Sequence, residues 1–346
     1  MLETWKANVK KPNHFLFYVL SHLPRLPKMP RFQTEEDGMS GHTFSPAWAR
    51  TGALLAVVFW GTSFVATKLA LRELSPATLI FVRFAQGSML MTVILLVRKE
   101  TAWPPRNTWR WLFLMGFVGI FVHQLLQVHG LKLTTATTTG WLIGLIPLWT
   151  ALLSRLLLKE PMNPQKVLGL LLGFVGAVLL ITRGDISTKL LSLPATRGNV
   201  LVLLSTINWA VYSVLGHGTL RRLGAVRATA GAMILGWLML TPLFVAQAGW
   251  RELGHVSTVG WISVVFLGVG CSGLGYLFWY GALERLEASR VAAFLYLEPL
   301  VTVGAAALIL GERASWLTLL GGTVVLAGVL LVERAPRPRI PLEAEV

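Results

Sequence analysis

An all-α integral membrane protein, with about ten transmembrane helices in two inverted repeats of five, is the fold this sequence predicts. Three observations carry the expectation: the composition, the recurrence of long apolar runs, and a repeat within the chain. Of 346 residues, 54% are hydrophobic and 14% are charged, whereas a soluble domain carries about 25% charged residues. That leaves too little polar surface to cover a water-soluble globule. A β-barrel is excluded as well. Its strands run about 10 residues and alternate polar with apolar, while a run such as VLGLLLGFVGAVLLI is apolar on every side.

The elements follow in order. Residues 1–47 read as a disordered, basic, cytoplasmic leader holding Lys6, Lys10, Lys11, Arg25, Lys28 and Arg31 among several prolines. Its one apolar run, Phe15 to Leu20, is shorter than the roughly 7 to 15 residues of a secretory h-region. Met29 and Met39 are alternative starts. From Trp48 onward each apolar run approaches the ~20 residues an α-helix needs to cross a bilayer. The spans fall at about 48–71, 76–97, 109–130, 136–158, 164–182, 198–218, 226–248, 258–282, 289–310 and 314–332. The first repeat is 48–182 and the second 198–333, with a cytoplasmic tail at 334–346.

The net charge of +15 could signal a nucleic-acid partner, but the position of the charges gives it another meaning. With the N-terminus inside, only Arg72, Lys132, Arg183, Lys189, Arg197, Arg251 and Arg313 fall on the non-cytoplasmic side. Lys68 and Arg83 lie within spans, and the other Lys and Arg are cytoplasmic. Such a bias is the ordinary topology signal of a multi-pass protein. It places both termini in the cytoplasm of a cell (inner) membrane protein and makes nucleic acid an unneeded partner. The single cysteine, Cys271, cannot form an internal disulfide or a Cys-based metal site.

The repeat is direct. Laying GLIPLWTALLSRLLLKEPMNPQKVLGLLLGFVGAVLL on YLEPLVTVGAAALILGERASWLTLLGGTVVLAGVLL puts Pro147 on Pro299, Glu160 on Glu312, Asn163 on Ser315, Gly169 on Gly321 and Gly176 on Gly328. Trp60 and Trp209 match at nearly the same spacing. Five spans per half force the second half to sit inverted. Inverted halves characterise secondary transporters, which rock about a site near the midplane. Asn163 and Ser315 sit at N-cap positions, Glu160 and Glu312 in the turns before them. Gly169 and Gly173, like Gly268, Gly270, Gly273 and Gly275, suit close helix packing.

On these residues the chain resembles the EamA-like branch of the drug/metabolite transporter superfamily. WGTSFVATKLAL at 60–71, RF at 83–84, GYLFWYGALERLEASRVAAFLYLEPLVT at 275–302 and LGER at 310–313 look like that family's patterns. The resemblance covers about Trp48 to Glu333. It implies ten helices in two inverted halves, cytoplasmic termini, and movement of small metabolites, often outward. The chain departs from it in carrying Ile146 where the second half has Glu298, and in its long leader.

Charges inside a bilayer are costly and need a partner or a wet cavity. Glu298, placed near the middle of the ninth span before a helix-kinking proline, reads as a proton carrier or acceptor for a substrate ammonium, or else as an Arg-paired structural carboxylate. Arg83 could grip a substrate carboxylate, or clamp a helix C-terminus or Glu298. Lys68 suits snorkelling to the headgroups. His123 and Gln127 share one helix face, and His123 can exchange protons near neutral pH. Trp60 with Ser63, Asn208 with Tyr212, Tyr276 with Tyr280, and Tyr296 complete a candidate pocket. Metal-ligand spacing and a nucleotide-binding GxxxxGK[ST] loop are both lacking, so no metal, cofactor or ATP drive is expected.

The function expected is secondary active export of a small organic metabolite, amino acid or drug by alternating access, with proton coupling at Glu298 and His123. Such a protein works as a monomer or homodimer among membrane lipids and is not an enzyme. The alternative is a membrane-embedded enzyme or flippase acting on a lipid-like substrate.

Overall fold

A computed structural model describes residues 46–99, 104–158, 163–182, 194–283 and 293–334. Among these every regular element is helical. Pro46 and Ala47, expected in the leader, already belong to the first helix; the rest of the leader, the tail beyond Arg334 and Glu160 lie outside the described residues.

Helix α1 spans Pro46–Ala70. The turn after it ends at Ser75, whose side chain accepts from the Thr78 amide and starts α2, Pro76–Val97, with Pro76 at the first helical position. Helix α3, Arg106–Leu133, contains a π segment, Gly116–Val122. Thr135 caps α4, Ala136–Ile143, and a turn at Gly144 and Leu145 separates it from α5, Ile146–Leu158. Asn163 Oδ1 accepts from Lys166 N at 2.8 Å to open α6, Pro164–Thr182. Then come α7, Pro194–Leu223, α8, Ala225–Ala246, and the short α9, Trp250–Leu253.

Helix α10 is built from Thr258–Val265, a π segment Phe266–Leu274, and Gly275–Leu283. A 3-10 stretch, Ala293–Leu297, leads into α11, Glu298–Leu310. Gly311, in the left-handed region at φ 67°, ends α11. Ser315 caps α12, Trp316–Glu333.

Seven of these helical stretches are long and apolar enough to cross a membrane: Ala49–Ala70, Pro76–Val97, Arg106–Leu133, Ala136–Leu153, Pro164–Ile181, Val226–Ala246 and Thr258–Trp279. Glu298–Leu310 and Trp316–Val332 are apolar but shorter. Helix α7, at 30 residues, falls outside both groups, and Asn199 and Asn208 lie on it.

The core has two main clusters. One joins α1, α2, α3, α8 and α10 around Phe84, Met91, Met233 and Leu267. The other joins α4 through α7 with α12 around Trp141, Leu145, Val325 and Val329. A third, of Phe64, Val65, Leu131, Ile143 and Ala306, sits where α1, α3, α4 and α11 converge. Helices α6 and α12 run antiparallel in close contact. A Cβ on Gly169 would lie 2.6 Å from the Gly328 carbonyl, and one on Gly176 2.7 Å from the Gly321 carbonyl. Only hydrogen at those positions permits the approach.

Capping interactions tie five distant chain segments at one end of the bundle. Glu73 accepts from Ser257 N at 2.6 Å and Ser257 Oγ at 2.7 Å. The hydroxyl first, then the amide, holds the exposed Glu73 carboxyl below its ordinary carboxylate range. Glu252 returns the arrangement by accepting from Ser75 N at 2.7 Å. Glu312 accepts from Ala136 N and Thr137 N, both at 3.0 Å, and from Thr137 Oγ1 at 2.8 Å. The turn glutamate thus caps α4 rather than its own turn, placing a carboxylate where the helix dipole favours it. Thr134 donates to Asn199 on α7.

Candidate functional site

A cavity of about 190 Å³ lies where α1, α2, α3, α7, α10 and α11 converge on the break between α4 and α5. Trp60, Phe64, Trp209, Tyr276 and Trp279 supply aromatic parts of its wall. Trp60 donates its indole N–H to the Cys271 carbonyl at 3.1 Å, inside the π segment of α10. Its ring meets Tyr276 edge-on at 5.6 Å and Trp279 at 5.2 Å. A Cβ on Gly275 would stand 2.9 Å from Trp60 Nε1, so the glycine admits the indole. Across the cavity Trp209 packs 4.8 Å from the His123 ring. Ser63 also lines the space, but its hydroxyl donates to the Trp60 carbonyl at 2.6 Å within α1.

Arg83, Glu298, His123 and the two glutamines, Gln124 and Gln127, come from α2, α11 and α3. Arg83 on α2 is buried, and its Nε donates to Ser272 Oγ at 2.9 Å. That bond orients the fork and leaves the terminal NH2 groups without a hydrogen-bond partner among the described residues, the guanidinium carbon lying 5.3 Å from the Phe84 ring centroid. The anchor is a π-segment hydroxyl, in place of the expected helix C-terminus or Glu298.

Glu298 is 9% exposed. Its carboxylate has neither an ion pair nor a hydrogen bond among the described residues, which removes the Arg-paired structural reading within them. The sequence places Glu298 mid-span. In the structure it is the first residue of α11, following a 3-10 stretch, so it stands at a helix N-terminus opened inside the bundle. The helix it begins is held in place by Thr302, whose hydroxyl bonds to Gly61 O and Glu298 O, both at 2.9 Å.

His123 Nδ1 lies 3.1 Å from the Ser205 carbonyl. A carbonyl only accepts, so the proton sits on Nδ1 and Nε2 is the free ring nitrogen. Gln127 lines the cavity one turn along α3, and Gln124 beside it is 5% exposed with Oε1 unpartnered. Among the described residues no group of three metal-ligating side chains occurs.

Of the residues singled out in the sequence, Trp60, Ser63, Arg83, His123, Gln127, Tyr276 and Glu298 come together here. Asn208 and Tyr212 do not. Asn208 Nδ2 donates to the Val118 carbonyl at 2.6 Å, and Tyr212 packs behind Trp209 with ring centroids 5.0 Å apart. Residues one apart on a helix point about 100° away from each other, and it is Trp209 that faces the cavity. The side chains of Tyr280 and Tyr296 lie outside the described residues. Sequence reasoning passed over Trp209, Trp279 and Gln124. Only Trp209 had a signal, its match to Trp60.

The lining also pairs up across the repeat. Trp60 and Trp209, Ile143 and Leu295, Ile146 and Glu298, and Pro147 and Pro299 all border the one cavity. Between matched positions the first half contributes an apolar isoleucine and the second the carboxylate.

A helical, multi-pass membrane protein in which repeated elements enclose a mainly apolar cavity with a few polar groups is built as membrane transporters are. Residues 47–182 and 196–334 each match the EamA-like transporter family, and the chain belongs to that family. An uncharacterized transporter of Archaeoglobus fulgidus is 32% identical, over 82% of this chain and 97% of its own. A Streptantibioticus cattleyicolor protein named a probable terminal-alkyne amino-acid exporter is 28% identical, over 81% of this chain and 92% of its own. A crystal structure of a protein 21% identical superposes with a TM-score of 0.59, covering 83% of this chain and 96% of the other, a likeness of fold.

Proposed function

We propose that the protein is a secondary active exporter of small organic zwitterions, amino acids among them. In this reading two inverted five-helix halves, 48–182 and 198–333, work by alternating access in the cell (inner) membrane, with both termini cytoplasmic. The observation that carries it is the cavity. Repeat-matched residues meet around one space, and within that space the Arg83 guanidinium and the Glu298 carboxyl group stand without pairing to each other. A substrate carboxylate suits the free edge of the Arg83 fork. Its ammonium suits Glu298, and its apolar part suits the Trp60, Trp209 and Trp279 wall.

The α6 and α12 contact supports inversion. Exchanging the repeats turns the Gly169–Gly328 contact into the Gly321–Gly176 contact, as a two-fold axis between antiparallel equivalents requires. Such an axis in the membrane plane is the feature inverted-repeat transporters share. Glu298 and His123, both buried and both with a free proton-accepting atom, are the proton carriers of this reading.

The test is transport in sealed proteoliposomes under an imposed pH gradient, with pooled amino acids, amines and drugs, wild type beside Glu298→Gln. Wild type is expected to accumulate an amino acid against its gradient, and Glu298→Gln to lose accumulation while keeping exchange. Equal accumulation by both removes Glu298 from coupling. No movement of any pool shifts the function to a lipid-like substrate.

A further inference from the structure

A second pocket, of about 380 Å³, is lined by Lys68, Leu71, Arg72, Lys132, Leu310 and Glu312. It sits at the end of the bundle tied by the Glu312 cap, on three of the helices that line the main cavity. On α1 Phe64 borders the cavity and Lys68, one turn on, borders the pocket. On α3 the corresponding residues are Gln127 and Lys132, and on α11 they are Glu298 and Leu310. The apolar cluster of Phe64, Leu131, Ile143 and Ala306 lies between the two spaces.

Lys68, Arg72 and Lys132 have no hydrogen bond or ion pair among the described residues. The one carboxylate present, Glu312, has both oxygens engaged on the N-terminus of α4. Three cations therefore face a common space that holds a single carboxylate, whose charge acts on Lys68 while its oxygens are hydrogen-bonded to α4. Lys68 is half-buried, so its charge is poorly hydrated.

We propose that this pocket is an oxyanion-binding site, taking a carboxylate or phosphate group between Lys68, Arg72 and Lys132. Arg72 supplies a planar fork and the two lysines supply point charges, the usual division of labour in oxyanion recognition. The group could belong to a small soluble anion at the mouth of the bundle or to an anionic lipid headgroup held between helices. The site needs no transport to be occupied, so its test is a binding measurement, independent of the transport reading above.

The test is thermal melting of the full chain, purified in uncharged maltoside micelles and followed by tryptophan fluorescence, titrated with citrate against sodium chloride at matched ionic strength. Citrate is expected to raise Tm saturably. The half-saturating citrate concentration is expected to rise about tenfold in Lys68→Gln/Arg72→Gln/Lys132→Gln and to stay unchanged in Arg251→Gln, an exposed cation of the same end. Should the triple variant not fold, Lys132→Gln alone, an exposed position, is expected to raise it in the same direction. Added phosphatidylglycerol separates the sources. Loss of the citrate response in its presence assigns the site to the lipid headgroup, and an unchanged response assigns it to a soluble anion. A Tm that does not respond to citrate beyond the salt control, or an equal response in the triple variant, overturns the site.

Discussion

The Arg83 side chain is held by a single directed bond, and that makes its orientation testable. Ser272 Oγ accepts from Nε in a buried setting, so Ser272→Ala strands a buried donor at a cost of about 1–3 kcal/mol. Tm is expected to fall accordingly. In the transport assay KM for a carboxylate-bearing substrate is expected to rise, because the free fork loses its aim, while an amine without a carboxylate is unaffected. Equal effects on both substrates would mean that Ser272 acts on stability alone. Arg83, Glu298 and His123 were legible in the sequence because a polar group inside an apolar run has few explanations. Ser272 was not, because nothing in a serine next to a glycine marks it as the partner of an arginine 189 positions away. Trp209 was obscured for a different reason. With 14 tryptophans in the chain, composition cannot separate cavity lining from interface belt, and preferring the more polar Asn208 selected a neighbouring helix face.

Helix existence and caps were plain in the sequence, whereas irregularities within the helices were not. Asn163 and Ser315 begin helices at the N-cap positions read from the sequence, and the structure adds Ser75. The π segments at Gly116–Val122 and Phe266–Leu274 and the 3-10 entry to Glu298 leave no periodic trace, since an all-apolar run looks the same at 3.6 or more residues per turn. They nevertheless shape the site: one π segment supplies the partners of Trp60 and Arg83, and another directly precedes His123. The glycines on α6 and α12 illustrate the same division. Their alignment across the repeat is visible in the sequence, but which glycine faces which is a property of the antiparallel crossing. Gly169→Ala is expected to cost about 1–3 kcal/mol, as overpacking does, because the new Cβ would lie 2.6 Å from a backbone carbonyl that has no side chain to move. Gly304→Ala, where nothing lies within 4 Å, is expected to be neutral or to stabilise by up to about 1 kcal/mol. Melting of both variants in detergent checks the contrast, and an equal gain in both would mean that helix propensity rather than the crossing governs both positions.

Across the whole molecule, charge and hydrogen bonding point to the same arrangement of ends. The Glu73–Ser257, Ser75–Glu252, Glu312–Ala136 and Thr134–Asn199 ties, together with the pocket that Arg72 and Lys132 share with Glu312, involve five segments. These are 71–75, 131–136, the start of α7, 250–257 and 310–312, and they are the segments that a ten-span path places on the non-cytoplasmic side. Each is also sparing in Lys and Arg relative to segments such as 98–110, which the positive-inside bias assigns to the cytoplasm. The two arguments are independent, since one rests on contacts and the other on composition. Cys271 is the only cysteine and is fully buried, so introduced cysteines can report sidedness in an otherwise natural chain. Arg106, Arg251 and Arg334 are all exposed. A membrane-impermeant maleimide is expected to label Arg251→Cys on intact cells, and Arg106→Cys and Arg334→Cys only after permeabilisation. The reverse pattern would invert the protein without disturbing the bundle. Labelling of Arg106→Cys and Arg251→Cys from the same side would break the alternation on which the inverted halves depend, because the path from Arg106 to Arg251 would then cross the membrane an even rather than an odd number of times.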